Sequence, residues 1–181
     1  MREVLFTSFG AFREIRRNPS ILVAQAAAEV VEGAGYRVSL VELPVTFAAA
    51  SSLPAGAPAG ALRLHVGVAA TRSTVTVERW GRPASGPEPD TDGALGPAVE
   101  PHAEPLASHR AASLVEALVQ EGEAAALSDD AGGYVCNALL YASLRLDGEA
   151  CFVHVPMLDD AGAVATGQRL GGAVVRLLAA G

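Results

Sequence analysis

Asp130-Ala131-Gly132-Gly133-Tyr134-Val135-Cys136-Asn137 stands between a short strand-like run, residues 124–128, and the apolar helical stretch 134–144 that it leads into. A second strand-like run, 149–155, follows and carries Cys151-Phe152-Val153-His154-Val155, with Pro156 ending it. Strand, glycine turn, helix and strand in that order are the repeating unit of an α/β domain. The alternation extends outward. Residues 3–8 read as a first strand, and Asn18-Pro19-Ser20 opens a helix with Asn18 or Ser20 as its cap. Residues 36–43 form a strand that stops at Pro44, and 62–68 and 74–79 form two more. The small-residue, proline-rich stretch 51–61 is expected to break the helix that Phe47 begins. Residues 108–119 and 163–178 read as helices, and 81–105 as a long loop of the kind that serves as a lid or binding loop. The expected fold is a single-domain α/β/α sandwich over residues 1–181, with a mostly parallel (mixed) central sheet. Ligands of such sheets bind beyond the carboxyl ends of strands, where loops enter helices. Cys136 falls at such a place.

Half of the 181 residues are hydrophobic and 18% are charged, which excludes a disordered chain and provides for a substantial core. All thirteen basic residues are arginine, so neither a Schiff-base lysine nor a P-loop lysine is available. A net charge of −7, with no basic cluster beyond Arg13, Arg16 and Arg17, argues against nucleic acid and against anionic membranes. Two cysteines are too few for a disulfide framework. No apolar stretch is long enough for a membrane span, and the start of the chain does not resemble a signal peptide. A cytoplasmic location is expected, with no cofactor and no metal, because the cysteines and histidines lack ligand spacing.

A cysteine at a helix N-terminus has its thiolate favoured by the helix dipole, and a nearby imidazole can take its proton. Cys136 and His154 are therefore the candidate nucleophile and base. Gly132 and Gly133 allow backbone shapes that could aim amide N–H groups at the reaction centre. A buried cysteine packing a helix start is the competing reading of Cys136, and a core histidine that of His154. Cys151 lies three residues from His154 in a strand, so the two point to opposite faces, and Cys151 reads as core. For the group that orients the base, Glu78, Asp129, Asp130, Asp159 and Asp160 all stand open.

Longer stretches carry a resemblance. Thr7-Ser8-Phe9-Gly10-Ala11-Phe12 resembles T-G-F-x-P-F, Asn18-Pro19-Ser20 matches N-P-S, and Leu43-Pro44-Val45-Thr46-Phe47 resembles L-P-V-x-F. Gly67-Val68-Ala69-Ala70-Thr71-Arg72 resembles G-Q-A-G-G-R, and Glu78-Arg79 falls at E-R. Residues 131–137 are close to A-G-T-[FY]-V-C-N, and 152–156 to F-I-H-[IV]-P. In this order and spacing the motifs resemble those of the pyroglutamyl peptidase I (pyrrolidone-carboxylate peptidase) family, cysteine peptidases that remove an N-terminal pyroglutamate. The resemblance implies a phosphorylase/hydrolase-like sandwich and a triad of Cys136, His154 and Glu78. It also implies an apolar pocket for the lactam ring lined by Phe9, Phe12, Tyr134 and Val135, with Asn18 and Val68 at the substrate site. A peptide or small N-acyl amide substrate and a homo-oligomer, dimer or tetramer, follow from the same resemblance.

The chain departs from the family at substrate-reading positions. Val68 replaces a glutamine, Ala11 a proline, and residues 86–91 lack an arginine linked to the oxyanion. The glutamine that follows the histidine motif is absent from residues 157–160. Two alternatives follow: a related cysteine amidase for another small N-acyl or cyclic amide group, and an inactive binding or assembly protein on the same fold.

Overall fold

In the computed structural model, residues 3–56, 60–83, 85–97 and 102–180 are described. In chain order the elements are β1 (Glu3–Phe9), α1 (Pro19–Gly33), β2 (Arg37–Leu43), α2 (Phe47–Gly56), β3 (Leu62–Val68), β4 (Val75–Glu78) and β5 (Trp80–Gly81). There follow β6 (Leu106–Ala107), α3 (Ala111–Gln120), β7 (Ala125–Ser128), α4 (Val135–Asp147), β8 (Ala150–Val155) and α5 (Asp160–Ala179). Six strands form one sheet in the order β2-β1-β3-β8-β4-β7, and β5 and β6 make a small separate ladder. Strands β2, β1, β3 and β8 are mutually parallel, β4 and β7 are parallel to each other, and β4 meets β8 antiparallel. This is the mixed, mostly parallel sheet of an α/β fold.

Side-chain alternation divides the core into two layers. Val4, Phe6, Leu64, Val66, Cys151, Val153 and Val155 pack toward α1, α3 and α5. Phe9 and Phe152 pack on the other face with Val135, Leu139 and Leu140 of α4 and with Phe47 and Ala50 of α2. Thr7, His65 and His154 share the second face by the same alternation. Fully buried His65 bridges that layer, Nδ1 lying 2.9 Å from the Thr7 hydroxyl and Nε2 2.9 Å from the Ser143 hydroxyl on α4. The chemistry-bearing residues thus lie under α4, while the opposite face is a conventional apolar layer that includes Cys151.

Two local expectations need correction. The helix begun at Phe47 does not break at residue 51 but runs to Gly56. Its alanines favour helix, and its start is capped from outside. Asp90 Oδ2 accepts the Phe47 N–H at 2.8 Å, and Thr46 Oγ1 accepts that of Ala49 at 3.2 Å. The Asp90 cap comes from 43 residues away, so local sequence does not reveal it. The helix expected from residue 108 begins at Ala111 instead, because the Ser108 hydroxyl is engaged with the Ala150 carbonyl at 2.7 Å. Residues 57–59 of the proline-rich stretch, and 84 and 98–101 of the long loop, lie outside the described residues. No described helix is long and apolar enough to cross a membrane.

Candidate active site

The approach to α4 is a tight turn. Gly132 adopts φ +78°, and its N–H donates to Asp130 Oδ1 at 2.9 Å, an arrangement that glycine enters without Cβ strain. Gly133 passes so close to the facing loop that an added Cβ would lie 2.8 Å from the Gly86 nitrogen. The two glycines shape this turn, and the Gly132 N–H is engaged within it. The chain then enters α4 at Val135, which puts Cys136 in the first turn, where N–H groups have no intrahelical partner. Asn137 fixes the helix laterally: its Oδ1 accepts the Arg82 N–H at 2.8 Å and its Nδ2 donates to the Arg82 carbonyl at 2.9 Å.

Cys136 is half-buried, and its sulfur lies over Gly67 of β3, 3.4 Å from where a Cβ on that residue would be. Gly67 is the register partner of His154 on β8. Adjacent strands lie about 4.8 Å apart, so the thiol and the imidazole occupy neighbouring sites on one face. His154 Nδ1 lies 2.7 Å from Glu78 Oε1. With Nδ1–H donated to the carboxylate, Nε2 is the unprotonated nitrogen, able to accept a thiol proton. Glu78 in turn accepts from Arg72 Nη1 at 2.5 Å.

Burial sets the protonation states. Desolvation lowers the His154 pKa, against the pull of Glu78, and Arg72 lowers it further. The Cys136 thiol is pushed up to about 12, chiefly by desolvation and then by the Glu78 charge, with its own N–H and Arg72 pulling the other way. Burial works against ionisation of Glu78, yet His154, Ser128 and Arg72 together hold its carboxyl below the ordinary range. At neutral pH the resting arrangement is a thiol, a neutral imidazole and a carboxylate. Such a set can move a proton from sulfur to nitrogen as an attack begins.

These observations bring Cys136, His154 and Glu78 together. A family comparison decides what the arrangement belongs to: the model of the Peptidase_C15 family, pyroglutamyl peptidase, matches residues 2–171. The chain belongs to the pyroglutamyl peptidase family. It is thus a cysteine-type peptidase by family. Its α/β fold is that of solved pyroglutamyl peptidases. Pyrrolidone carboxyl peptidase from Pyrococcus furiosus is 22% identical with a TM-score of 0.82, the match covering 98% of this chain and 99% of that one. The enzyme from Thermus thermophilus is 25% identical with a TM-score of 0.76, covering 93% and 97%. Pyroglutamyl peptidase I from Bacillus amyloliquefaciens is 20% identical with a TM-score of 0.75, covering 96% of each chain. A search of curated protein sequences finds no significant match.

The other candidate positions of this family member divide. Phe12 and Tyr134 pack at a tilt with ring centroids 5.4 Å apart, and Phe47 meets Tyr134 edge-on at 5.7 Å. Phe9 is buried against Phe152, and Val135 is fully buried beneath the helix start. Asn18 is turned inward, capping α1 through the Ser20 N–H and holding the Gly10 carbonyl at 3.1 Å. Val68 alternates with Gly67 and so takes the face of Val66, away from Cys136. Arg82 directs its guanidinium to the Asp129 carbonyl at 2.9 Å, not toward the thiol. Among the described residues, no group of three or more His, Cys, Asp or Glu gathers as metal ligands.

Sequence reasoning did not single out Arg72, Phe47 or the Arg13–Glu88 pair. Arg72 and Phe47 both end stretches that match family motifs, which was the available signal. Arg13 pairs with Glu88 and holds its guanidinium 4.8 Å from the Phe12 ring centroid and 5.6 Å from that of Tyr134. The Tyr134 hydroxyl donates to the Pro89 carbonyl at 3.1 Å. Residues 85–93 therefore form a strap across the aromatic cluster, held further by the Gly86 N–H on the Gly133 carbonyl at 2.5 Å.

Proposed function

We propose that this protein removes N-terminal pyroglutamyl residues from peptides through a Cys136 thioester. The observation that carries the reading is the His154–Glu78 contact of 2.7 Å beside a thiol seated over Gly67 in a pyroglutamyl peptidase chain. His154 Nε2 takes the thiol proton as sulfur attacks the carbonyl carbon of the pyroglutamyl amide. Negative charge develops on the carbonyl oxygen, and the N-terminus of α4, with its helix dipole, favours negative charge there. The imidazolium, stabilised by Glu78, returns its proton to the leaving amine, which releases the shortened peptide. Water, deprotonated by His154, then cleaves the thioester, freeing pyroglutamate and restoring the thiol. Phe12 and Tyr134, with buried Phe47 packed against Tyr134, offer aromatic surface for the lactam ring, which has no charged amine. Residues 1–181 act in this reading as one domain, in the cytoplasm and as a homo-oligomer, without a cofactor.

A second reading keeps the chemistry and changes the acyl group. It is favoured by the Arg13 guanidinium over the aromatic pair. Release of a fluorescent amine from a pyroglutamyl amide, compared with a panel of other N-acyl amides, tests both. Release from the pyroglutamyl reporter that vanishes in Cys136→Ala is expected. Folded wild-type protein that cleaves only another acyl amide establishes the second reading, and one that cleaves none overturns both.

A further inference from the structure

Arg72 lies in the turn between β3 and β4 and engages three groups. Nη1 donates to Glu78 Oε1 at 2.5 Å and also meets the Thr76 hydroxyl, while Nη2 donates to the Asp130 carbonyl at 2.7 Å. Glu78 Oε1 thus accepts from both His154 and Arg72, whereas buried Glu78 Oε2 has no hydrogen-bond partner among the described residues. Asp130 opens the turn that delivers Cys136, since its carboxylate holds the Gly132 N–H. We infer that Arg72 is a positioning residue for the proposed thiol chemistry, locking the Glu78 carboxylate to the loop that carries Cys136 and sharing with His154 a single carboxylate oxygen.

The guanidinium suits this task because its donors lie in a rigid planar fork, so one arm can serve Glu78 while the other serves Asp130. A lysine would supply the charge from a single point. The shared oxygen also has an electrostatic consequence. The charged groups around His154 are Glu78 on β4 and Arg72 in the β3–β4 turn; the titratable neighbours that are neutral are the Cys136 thiol on α4 and His65 on β3, which lies beyond Phe152. Glu78 draws a proton onto the imidazole, and Arg72 opposes it. Removing the cation leaves a buried carboxylate with His154 as its main partner, which makes the imidazole easier to protonate. The base is then lost at a higher pH than in the native protein.

The inference rests on the thioester reading for its meaning, yet it can be tested without a peptidase substrate. The rate of Cys136 alkylation by iodoacetamide would be followed against pH alongside turnover of the pyroglutamyl reporter, in wild type, Arg72→Gln and Arg72→Lys. Arg72→Gln is expected to move the acid limb of both profiles upward by about one pH unit, equivalent to a change of about 1.4 kcal/mol. Arg72→Lys is expected to return the limb toward its native position but to keep kcat depressed about tenfold or more, because the Asp130 carbonyl loses its donor. A folded Arg72→Gln whose alkylation limb coincides with that of wild type overturns the inference. If Arg72→Gln does not fold, Arg72→Lys decides alone: native kcat overturns the inference, and depressed kcat with a native limb supports it. Wild type that alkylates with the expected limb but does not turn over the reporter counts against the pyroglutamyl assignment and leaves the Arg72 result to stand or fall separately.

Discussion

Glu78 and His154 meet diagonally across the antiparallel seam of the six-stranded sheet. Thr76 is the register partner of His154, and Glu78 lies two residues further along β4, so both side chains share a face and close to 2.7 Å. The antiparallel register sets this diagonal. The pairing of β4 with β8 thus sets a carboxylate against His154, and that contact holds the imidazole with Nδ1 protonated.

That relationship gives the first prediction. Glu78→Gln keeps the shape but offers an amide where His154 needs a charged acceptor, which removes the charge that stabilises the imidazolium. A fall in kcat of about 10²–10⁴ is expected, by analogy with loss of the carboxylate from other triads. Steady-state turnover of the reporter, with circular dichroism to confirm folding, checks it. Native kcat in Glu78→Gln would remove Glu78 from the mechanism.

The resting thiol is the subject of the second. Desolvation and then the Glu78 charge push Cys136 up to about 12, while His154 is held below its ordinary value. Both groups are then neutral at pH 7, in contrast to a preformed thiolate–imidazolium pair. The difference in thiolate ultraviolet absorbance between wild type and Cys136→Ala should be absent at neutral pH and appear only in the alkaline range. A full thiolate signal at pH 7 would show that the pair is ionised before substrate arrives.

Most of the fold was legible because strands, glycine turns and apolar helices follow short-range rules. The places of Cys136 and His154 were legible for the same reason: one sits after a glycine turn, the other at a strand end. The contact of Glu78 with His154 was not legible from spacing alone, because it depends on how β4 joins the sheet. Only the resemblance chose it from five acids. Arg72 and Asp90 were hidden for a related reason. Arg72 reaches across 58 residues to the Asp130 carbonyl, and Asp90 caps a helix start 43 residues away. The inward turn of Asn18 and the facing of Val68 likewise belong to tertiary structure, which a motif match does not report.

Gly67 provides a third prediction. A Cβ there would lie 2.9 Å from two atoms of the Phe152 ring and 3.4 Å from Cys136 Sγ. The Phe152 ring would have to shift, and it lies against His154 at 4.6 Å between centroids. Gly67→Ala should therefore cost about 1–3 kcal/mol through overpacking and lower kcat about 10²-fold by displacing the reacting groups. Thermal melting and turnover separate the two effects. Unchanged kcat would mean that the thiol does not use the space above Gly67.

The strap across the aromatic cluster yields a fourth. Arg13 holds φ +50°, a left-handed conformation that glycine adopts without steric cost, and it covers the Phe12 and Tyr134 rings. Arg13→Gly should leave the melting temperature equal or higher while lowering KM for the pyroglutamyl reporter severalfold, because the mouth of the aromatic cluster opens. A raised KM would instead show that the guanidinium contacts the substrate.

His65 carries the last prediction. It is fully buried between the Thr7 and Ser143 hydroxyls, and burial, aided by the Arg63 charge, lowers its pKa to about 3 from 6.5. Between those values the unfolded chain binds a proton that the folded chain refuses. The stabilisation from neutral His65 is therefore complete above about pH 6.5 and is lost as the pH falls toward about 3. The slope is at most about 1.4 kcal/mol per pH unit for a single group. His154, also lowered, acts with the same sign. Urea unfolding across this range should show a shallower acid loss in His65→Gln than in wild type, since the variant has no imidazole to protonate when unfolded. Because His65 ties α4 to β1 and β3, the variant should also be less stable at pH 7. An acid slope identical to that of wild type would mean that the folded protein accepts the proton at His65 as readily as the unfolded chain does.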